Sequence, residues 1–237
     1  MSARFYCSEI GGQTAQLDDA ESHHALHVLR LPVGDKVELF DGTGATACAT
    51  IAEVTRKTIS LTVSEHHPGT PLQRPQLVVA AAPPRGDRFK AMVEKLTELG
   101  VDEFIPLRTV RSVVDPRQSK LDKLQSTVIG AMKQSGRNRL MTIHESMEFS
   151  VVLRQAATKK RSIQIAHPGE ASAGSMTSVT ADTVLLIGPE GGFTREEVLQ
   201  ATDYSARRIV WPDSILRIET AAVAFAGLLL NQMHRSV

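Results

Sequence analysis

The spacing of apolar positions changes near residue 75. Before that point Lys36-Val-Glu-Leu-Phe40 alternates, Ala45 to Val54 is rich in small and β-branched residues, and Thr58-Ile-Ser-Leu-Thr-Val63 alternates again. A period of two turns one face of a chain toward a core and the other toward water, so these runs predict strands. Turn chemistry separates them at Pro32-Val-Gly-Asp35, Asp41-Gly-Thr-Gly44 and Thr55-Arg-Lys57. Short strands spaced about ten residues apart predict a small barrel over residues 1–70. One helical turn is expected inside it, where Asp18 and Asp19 precede Ala20 to Leu29. Ser64 to Pro75 holds three prolines and one glycine and reads as a linker.

Beyond Pro75 the pattern alternates between unbroken apolar runs and helical spacing. Leu77 to Ala82 ends at Pro83-Pro84, as expected of a strand covered on both faces. Asp87 is expected to cap a helix with Phe89, Met92, Val93, Leu96 and Leu99 on one face and Gly100 at its end. Further strands are predicted at Phe104–Leu107, Ile163–Ala166, Thr183–Ile187 and Arg208–Trp211, with helices at Leu121–Gln134, Glu196–Thr202 and Ala221–His234. Strands alternating with helices imply an α/β domain with a mostly parallel sheet over residues 75–237.

Composition bounds this picture. The chain has 237 residues, 42% of them hydrophobic, enough for two compact cores. Its two cysteines, Cys7 and Cys48, cannot make a disulfide framework or a thiolate metal cluster. The polar stretch after Arg4 to Cys7 is unlike a secretory leader, and Ala221–Leu230 is only about half a membrane span. A cytoplasmic protein without membrane or metal partners is expected. Net charge is +1, which argues against a nucleic-acid partner until its distribution is examined. From Arg108 to Arg139 eight basic residues stand against only Asp115 and Asp122. Alone such a run reads as a solvated face, but beside a ligand site it suits phosphate contact.

Two segments carry candidate chemistry. In Leu185-Leu-Ile-Gly-Pro-Glu-Gly-Gly-Phe-Thr-Arg-Glu-Glu-Val198 a buried strand runs into three glycines, and Thr194 with Glu197 forms a capping box. Such a turn lets a ligand approach free backbone amides beyond the carboxyl end of a strand. It lacks the lysine and hydroxyl of a phosphate loop; a plain strand-to-helix turn is the alternative. The second segment, Ile209 to Val223, places Arg217, Glu219 and Thr220 before an almost wholly apolar helix. Charges there are paired or functional, or Glu219 and Thr220 simply satisfy the first amides of the helix.

Together these segments resemble the paired C-terminal signatures of SPOUT-class RNA methyltransferases, and most resemble the ribosomal RNA small subunit methyltransferase E family. The resemblance extends to His24-Ala-Leu-His-Val-Leu-Arg30, Gly34 to Gly42, Lys95 to Val101 and Gln134-Ser-Gly-Arg-Asn-Arg139. It implies an N-terminal PUA-like β-barrel followed by an α/β SPOUT domain with a deep trefoil knot at about residues 165–225. It further implies S-adenosylmethionine as cofactor, homodimerisation, and methylation of uridine N3 in small-subunit ribosomal RNA. Carried over, His167, Ile187, Gly188, Pro189, Glu190, Gly191, Gly192, Val210, Trp211, Ile215, Leu216 and Thr220 would hold the cofactor. Arg217 and Glu219 would be catalytic, and Arg4, His24, Arg30, Arg111, Lys133, Arg137 and Arg139 would meet RNA. The sequence departs from the family at Ser214, where an arginine is usual, and at Val110 and Lys133, where glutamates are usual. These departures leave open another SPOUT-class base or ribose methyltransferase, or an RNA-binding paralogue without activity.

Two other motifs carry less. Asp41-Gly-Thr-Gly-Ala-Thr-Ala47 matches a shortened dinucleotide fingerprint but leads into a strand instead of a helix, so a nicotinamide oxidoreductase has little behind it. His23 and His27 share a helical face without a third ligand, so metal binding there is not expected.

Overall fold

The computed structural model describes residues 2–55, 58–116, 118–169 and 179–235, with no side-chain description for 118–120. The expected turn at Arg56 and Lys57, Arg117, the Lys120 side chain and residues 170–178 of the expected knot lie outside them. Two compact units emerge: Met1–Pro71 with Met132–Leu140, and Leu72–Ala131 with Met141–Val237. The segment 132–140, which the sequence pattern assigns to the α/β domain, thus groups with the first unit.

In the first unit, strands β1 (Ala3–Tyr6), β2 (Thr14–Gln16), β3 (Lys36–Phe40), β4 (Thr46–Val54) and β5 (Ile59–His67) form one sheet ordered β1-β3-β4-β5-β2. β1 runs parallel to β3 and the other pairs are antiparallel. All five strands feed one apolar cluster, with Phe5, Leu39, Ile51, Ile59 and Leu61 at its centre. The helical turn is α1 (Asp19–His23), capped by the Asp18 carboxylate, continued as a π-helical segment His24–Leu29. β5 extends four residues into the expected linker, because Thr46 to Cys48 of β4 remain available to pair it. Arg74 is no free linker residue either. It is buried against Asp102 at 2.8 Å and donates to the Gly100 carbonyl at 2.6 Å, fixing the chain where the second unit begins.

The second unit is built on a sheet ordered β12-β10-β11-β6-β7-β8, in which every pair is parallel. Its strands are β6 (Leu77–Ala81), β7 (Glu103–Arg108), β8 (Thr142–Ile143), β9 (Met147–Glu148, also on β7), β10 (Ser162–Ala166), β11 (Thr183–Ile187) and β12 (Arg207–Ile209). Val78, Ala80, Ile165, Val184 and Leu186 pack with α4 (Phe149–Thr158) and α5 (Arg195–Asp203). Helix α6 (Ile218–Arg235) packs on β6, β11 and α2 (Asp87–Leu99). Helix α3 (Gln118–Ser135) leads toward the 132–140 segment.

Several local expectations are corrected. Gly86, at φ +66°, occupies the N-cap of α2 without a side-chain cap, and Asp87 is the first helical residue. Gly100 ends that helix at φ +95°, as expected. β12 stops at Ile209, before the donor-less Pro212. Helix α6 starts at Ile218, and its apolar face is consumed within the chain: Ala222, Ala226 and Leu229 are fully buried. Among the described residues no helix is long and apolar enough to cross a membrane.

Candidate active site

Strands β10, β11 and β12 end side by side at Ala166, Ile187 and Ile209, and their loops gather beyond those carboxyl ends. In a parallel sheet this edge is where backbone groups are released from the ladder and ligands are bound. Two cavities lie there, of about 460 Å³ and about 450 Å³, sharing walls at Ala166, His167, Pro168, Ile215, Leu216 and Ala221. Each falls within the range of about 300–1,000 Å³ usual for small-molecule sites.

The first cavity is lined by Ile209, Val210, Trp211, Asp213, Ser214 and Phe225 besides the shared wall. Trp211 stands edge-on to Phe225 at 5.9 Å between ring centroids, and both rings line this cavity with apolar surface. The second is lined by Ile187, Gly188, Pro189, Glu190, Gly191, Gly192, Phe193, Arg217 and Ile218. Two glycines of this loop are demanded by their surroundings. A Cβ on Gly188 would stand 3.1 Å from the Phe193 ring, and Gly192 holds φ +69°. Thr194 then accepts from the Glu197 amide at 3.2 Å while Glu197 accepts from the Thr194 amide at 2.8 Å, completing the expected capping box.

A neighbouring loop braces this one. Glu197 also accepts from the Val110 amide at 2.9 Å, and Arg111 donates to the Gly191 carbonyl at 2.6 Å. The Arg111 stem covers Gly191 so closely that a Cβ there would meet it at 3.3 Å. Arg111 therefore supports the glycine loop.

The charged groups differ in how they are held. Arg217 is exposed and, among the described residues, has no side-chain hydrogen bond or ion pair. Glu219 lies in the first turn of α6 with one oxygen 3.6 Å from Arg88 and the other buried without a partner. It does not cap the helix. Arg88 also lies 3.7 Å from Glu190, so it bridges the glycine loop and the start of α6. The sequence reading missed Arg88; its position just beyond the carboxyl end of β6 was the available signal. Of the expected cofactor residues, all but Thr220, which is exposed on α6, line one or both cavities.

The expected RNA residues of the first unit are mostly engaged. Lys133 donates to both oxygens of Glu21, at 3.0 and 2.8 Å, and to His24 Nδ1 at 2.9 Å. Burial and the Lys133 charge hold the His24 pKa below its ordinary value, and Nδ1 is the acceptor because the lysine ammonium can only donate. Arg4 pairs with Glu38 at 3.2 Å and donates to the Met132 carbonyl and to Asn138. Arg139 donates to the Thr70 carbonyl and bridges Gly42 and Thr43. The glycines of the apparent dinucleotide fingerprint therefore admit residues 139–140, since a Cβ on Gly44 would meet the Arg139 guanidinium at 3.0 Å. Arg30 is exposed at φ +55°, and Arg137 is half-buried.

Comparisons with known proteins agree on one family. The RNA methyltransferase domain profile matches residues 71–230, and the RNA methyltransferase PUA domain profile matches residues 17–64. The chain is 31% identical to ribosomal RNA small subunit methyltransferase E of Synechocystis sp., over 91% of this chain and 72% of that one. It is 28% identical to the protein of that name from Rickettsia conorii, over 98% and 96%. Among solved structures, the Neisseria gonorrhoeae ribosomal RNA small subunit methyltransferase E bound to S-adenosyl methionine superposes with a TM-score of 0.88 at 26% identity, covering 98% of both chains. A putative methyltransferase from Legionella pneumophila in complex with the same cofactor superposes at 0.87 and 27%, again over 98% of both. With its cavities at the carboxyl edge of a parallel sheet and both domain profiles in order, the chain belongs to the ribosomal RNA small subunit methyltransferase E family.

Proposed function

We propose that this chain binds S-adenosylmethionine in the paired cavities and methylates N3 of a uridine in small-subunit ribosomal RNA, acting as a cytoplasmic homodimer. Family membership makes it an S-adenosylmethionine-dependent ribosomal RNA methyltransferase. The observation that carries the site assignment is the convergence of Gly188–Gly192 and Val210–Leu216 on one edge, with Arg217 unpaired at its margin. The residues fit the cofactor. Trp211, Leu216 and Phe225 suit an adenine ring, while His167 and the backbone of Ile187 to Gly192 suit the polar hydroxyl and amino-acid groups.

When bound, the sulfonium supplies an electrophilic methyl group. Uridine N3 attacks it only as its own proton leaves, so negative charge develops on the uracil oxygens. Arg217, at the margin of the cavity, would stabilise that charge as a cation beside the reacting base. Glu219, held by Arg88, is the candidate proton acceptor or organiser of the site. The N3 edge is paired in a duplex, so the target base is single-stranded or flipped out. Arg30 is the exposed first-unit candidate for phosphate contact, and Arg137 would reach RNA from a half-buried position. Lys133, Arg4, His24 and Arg139 would reach RNA only after meeting their internal partners, and Arg111 acts through the glycine loop.

Three finer features belong to this reading. The domains would be a PUA-like barrel over residues 1–70 and a SPOUT domain over 75–237. A deep trefoil knot is supported by the path from edge strand β12 through residues 210–217 back to α6 on the central strands β6 and β11. Homodimerisation is supported by exposed apolar side chains: Ile215, at 89% exposure, and Trp211 on the cavity wall, with Leu228 on α6 and Leu99 on α2 also open. Thr220 would contribute from the partner-facing turn of α6. The test combines S-adenosylmethionine titration with transfer of its labelled methyl group to small-subunit RNA. Binding and transfer together are expected; binding without transfer would contradict the enzyme and leave an RNA-binding paralogue.

A further inference from the structure

The first unit carries a cluster of donors that the methyltransferase reading does not use. Cys48 lies on β4, and Glu65 and His67 lie two residues apart on β5; all three are exposed. Their donor atoms, thiol, carboxylate and imidazole, all lie within 4.8 Å of one another. The Glu65 and His67 side chains already approach to 3.7 Å.

The register explains how they meet. Ala49 pairs with Val63, but Cys48 pairs with Glu65, so Ser64 is an extra residue in β5. On a regular strand Glu65 would share the inward face of Ile59, Leu61 and Val63, which pack on the core. The bulge reverses that parity and turns Glu65 and His67 outward, onto the face of Cys48. Ser64 fixes the bulge by donating its hydroxyl to the Cys48 carbonyl at 3.1 Å. No local signal announces the cluster, because Cys48 and Glu65 lie 17 positions apart and only the shifted ladder unites them.

We propose that Cys48, Glu65 and His67 form a binding site for a thiophilic divalent transition-metal ion of the zinc class. The donor set selects the class. A thiolate with an imidazole suits zinc or cobalt and excludes magnesium and calcium, which take oxygen ligands. Three protein ligands leave one tetrahedral position for water. All three side chains are exposed, so their rotamers are free to adjust toward bonding geometry. An ion held there ties the end of β5 to β4. The proposal is independent of the methyl-transfer site, which is built from residues of the second unit.

The test titrates the full-length protein with Co²⁺ as a spectroscopic probe and then with Zn²⁺. One equivalent of Co²⁺ per chain is expected, with a thiolate-to-cobalt charge-transfer band and the intense visible bands of a four-coordinate site, both removed by Zn²⁺. Cys48→Ser abolishes the charge-transfer band, and His67→Ala and Glu65→Gln each weaken binding at least tenfold. All three sites are exposed, so the metal-free variants should keep the circular dichroism and melting temperature of the parent. Cys7→Ala keeps the band, because that thiol is buried and donates to the Glu9 and Gln16 carbonyls. Absence of a stoichiometric thiolate band, its loss in Cys7→Ala, or equal affinity in His67→Ala and Glu65→Gln would overturn the proposal.

Discussion

The glycine loop of the second unit and the basic stretch Arg108–Arg139, whose last residues belong to the first unit, make an instructive pair. Both stood out in the sequence, one for its glycines and the other for its charge. At the glycine loop the polar groups that matter are backbone groups, and the cation beside them, Arg217, has no partner among the described residues. In the basic stretch Lys133 meets Glu21, and Arg4, expected to meet RNA with it, meets Glu38; both cations are mostly buried. Net charge along a segment therefore says little about what it presents. A group left unpaired beside a cavity is available for chemistry, whereas a buried pair is committed to holding its own unit together.

Substitutions can break or sharpen that contrast. The largest effect is expected at Arg217→Ala, which should lower kcat by about 100- to 1,000-fold, or about 3–4 kcal/mol, if it stabilises developing charge. S-adenosylmethionine affinity should stay near the parent value, so a loss confined to affinity would assign Arg217 to cofactor binding instead. Next, Lys133→Ala should destabilise the protein by about 2–3 kcal/mol by stranding the Glu21 carboxylate, read as a fall in melting temperature. An RNA contact alone would leave stability unchanged and weaken only RNA binding. At Gly188→Ala the new methyl presses on Phe193, and cofactor affinity should fall about tenfold, roughly 1–2 kcal/mol, with little loss of fold.

The smallest effect extends the contrast to a charged cluster away from the cavities. Hydrogen bonds from His144 and Arg161, the first being the larger influence, hold the Glu103 pKa at about 2 against an ordinary 4.5. A depressed carboxylate stabilises the fold above its unfolded pKa and loses that contribution as pH falls from about 4.5 toward 2. Glu103→Gln should therefore cost about 1–2 kcal/mol at neutral pH and flatten the acid limb of a stability titration in that window. An unchanged acid limb would show that this cluster is not a structural pair.

Local signals were the legible ones. The Thr194–Glu197 box and the Gly100 stop depend on residues within a few positions, and both appear as expected. Asp87 failed as a cap because Gly86 takes the cap position at a positive φ open to glycine. Strands β1 and β2, of four and three residues, are too short for a periodic signal and exist through pairing with β3 and β5. Helix α4 was readable, since Phe149, Val152, Leu153 and Ala156 fall on one face, but it was not singled out. At the site, the loop residues could be read from their glycines and strand ends. Arg88 was harder to read: its place just beyond β6 pointed to the site, but its bridge to Glu190 and Glu219 joins segments more than 100 residues apart. The apolar run of α6 is spent inside its own chain, where Leu229 is fully buried.

The most direct test is nucleoside mass analysis of small-subunit RNA lacking this modification, after incubation with the purified protein and S-adenosylmethionine. The account predicts 3-methyluridine at one position, formed by the parent protein and reduced at least 100-fold in initial rate by Arg217→Ala. Methylation of another base or of ribose would contradict the N3 assignment. Absence of any methylated nucleoside, with the cofactor bound, would contradict the account of this cavity as a catalytic site.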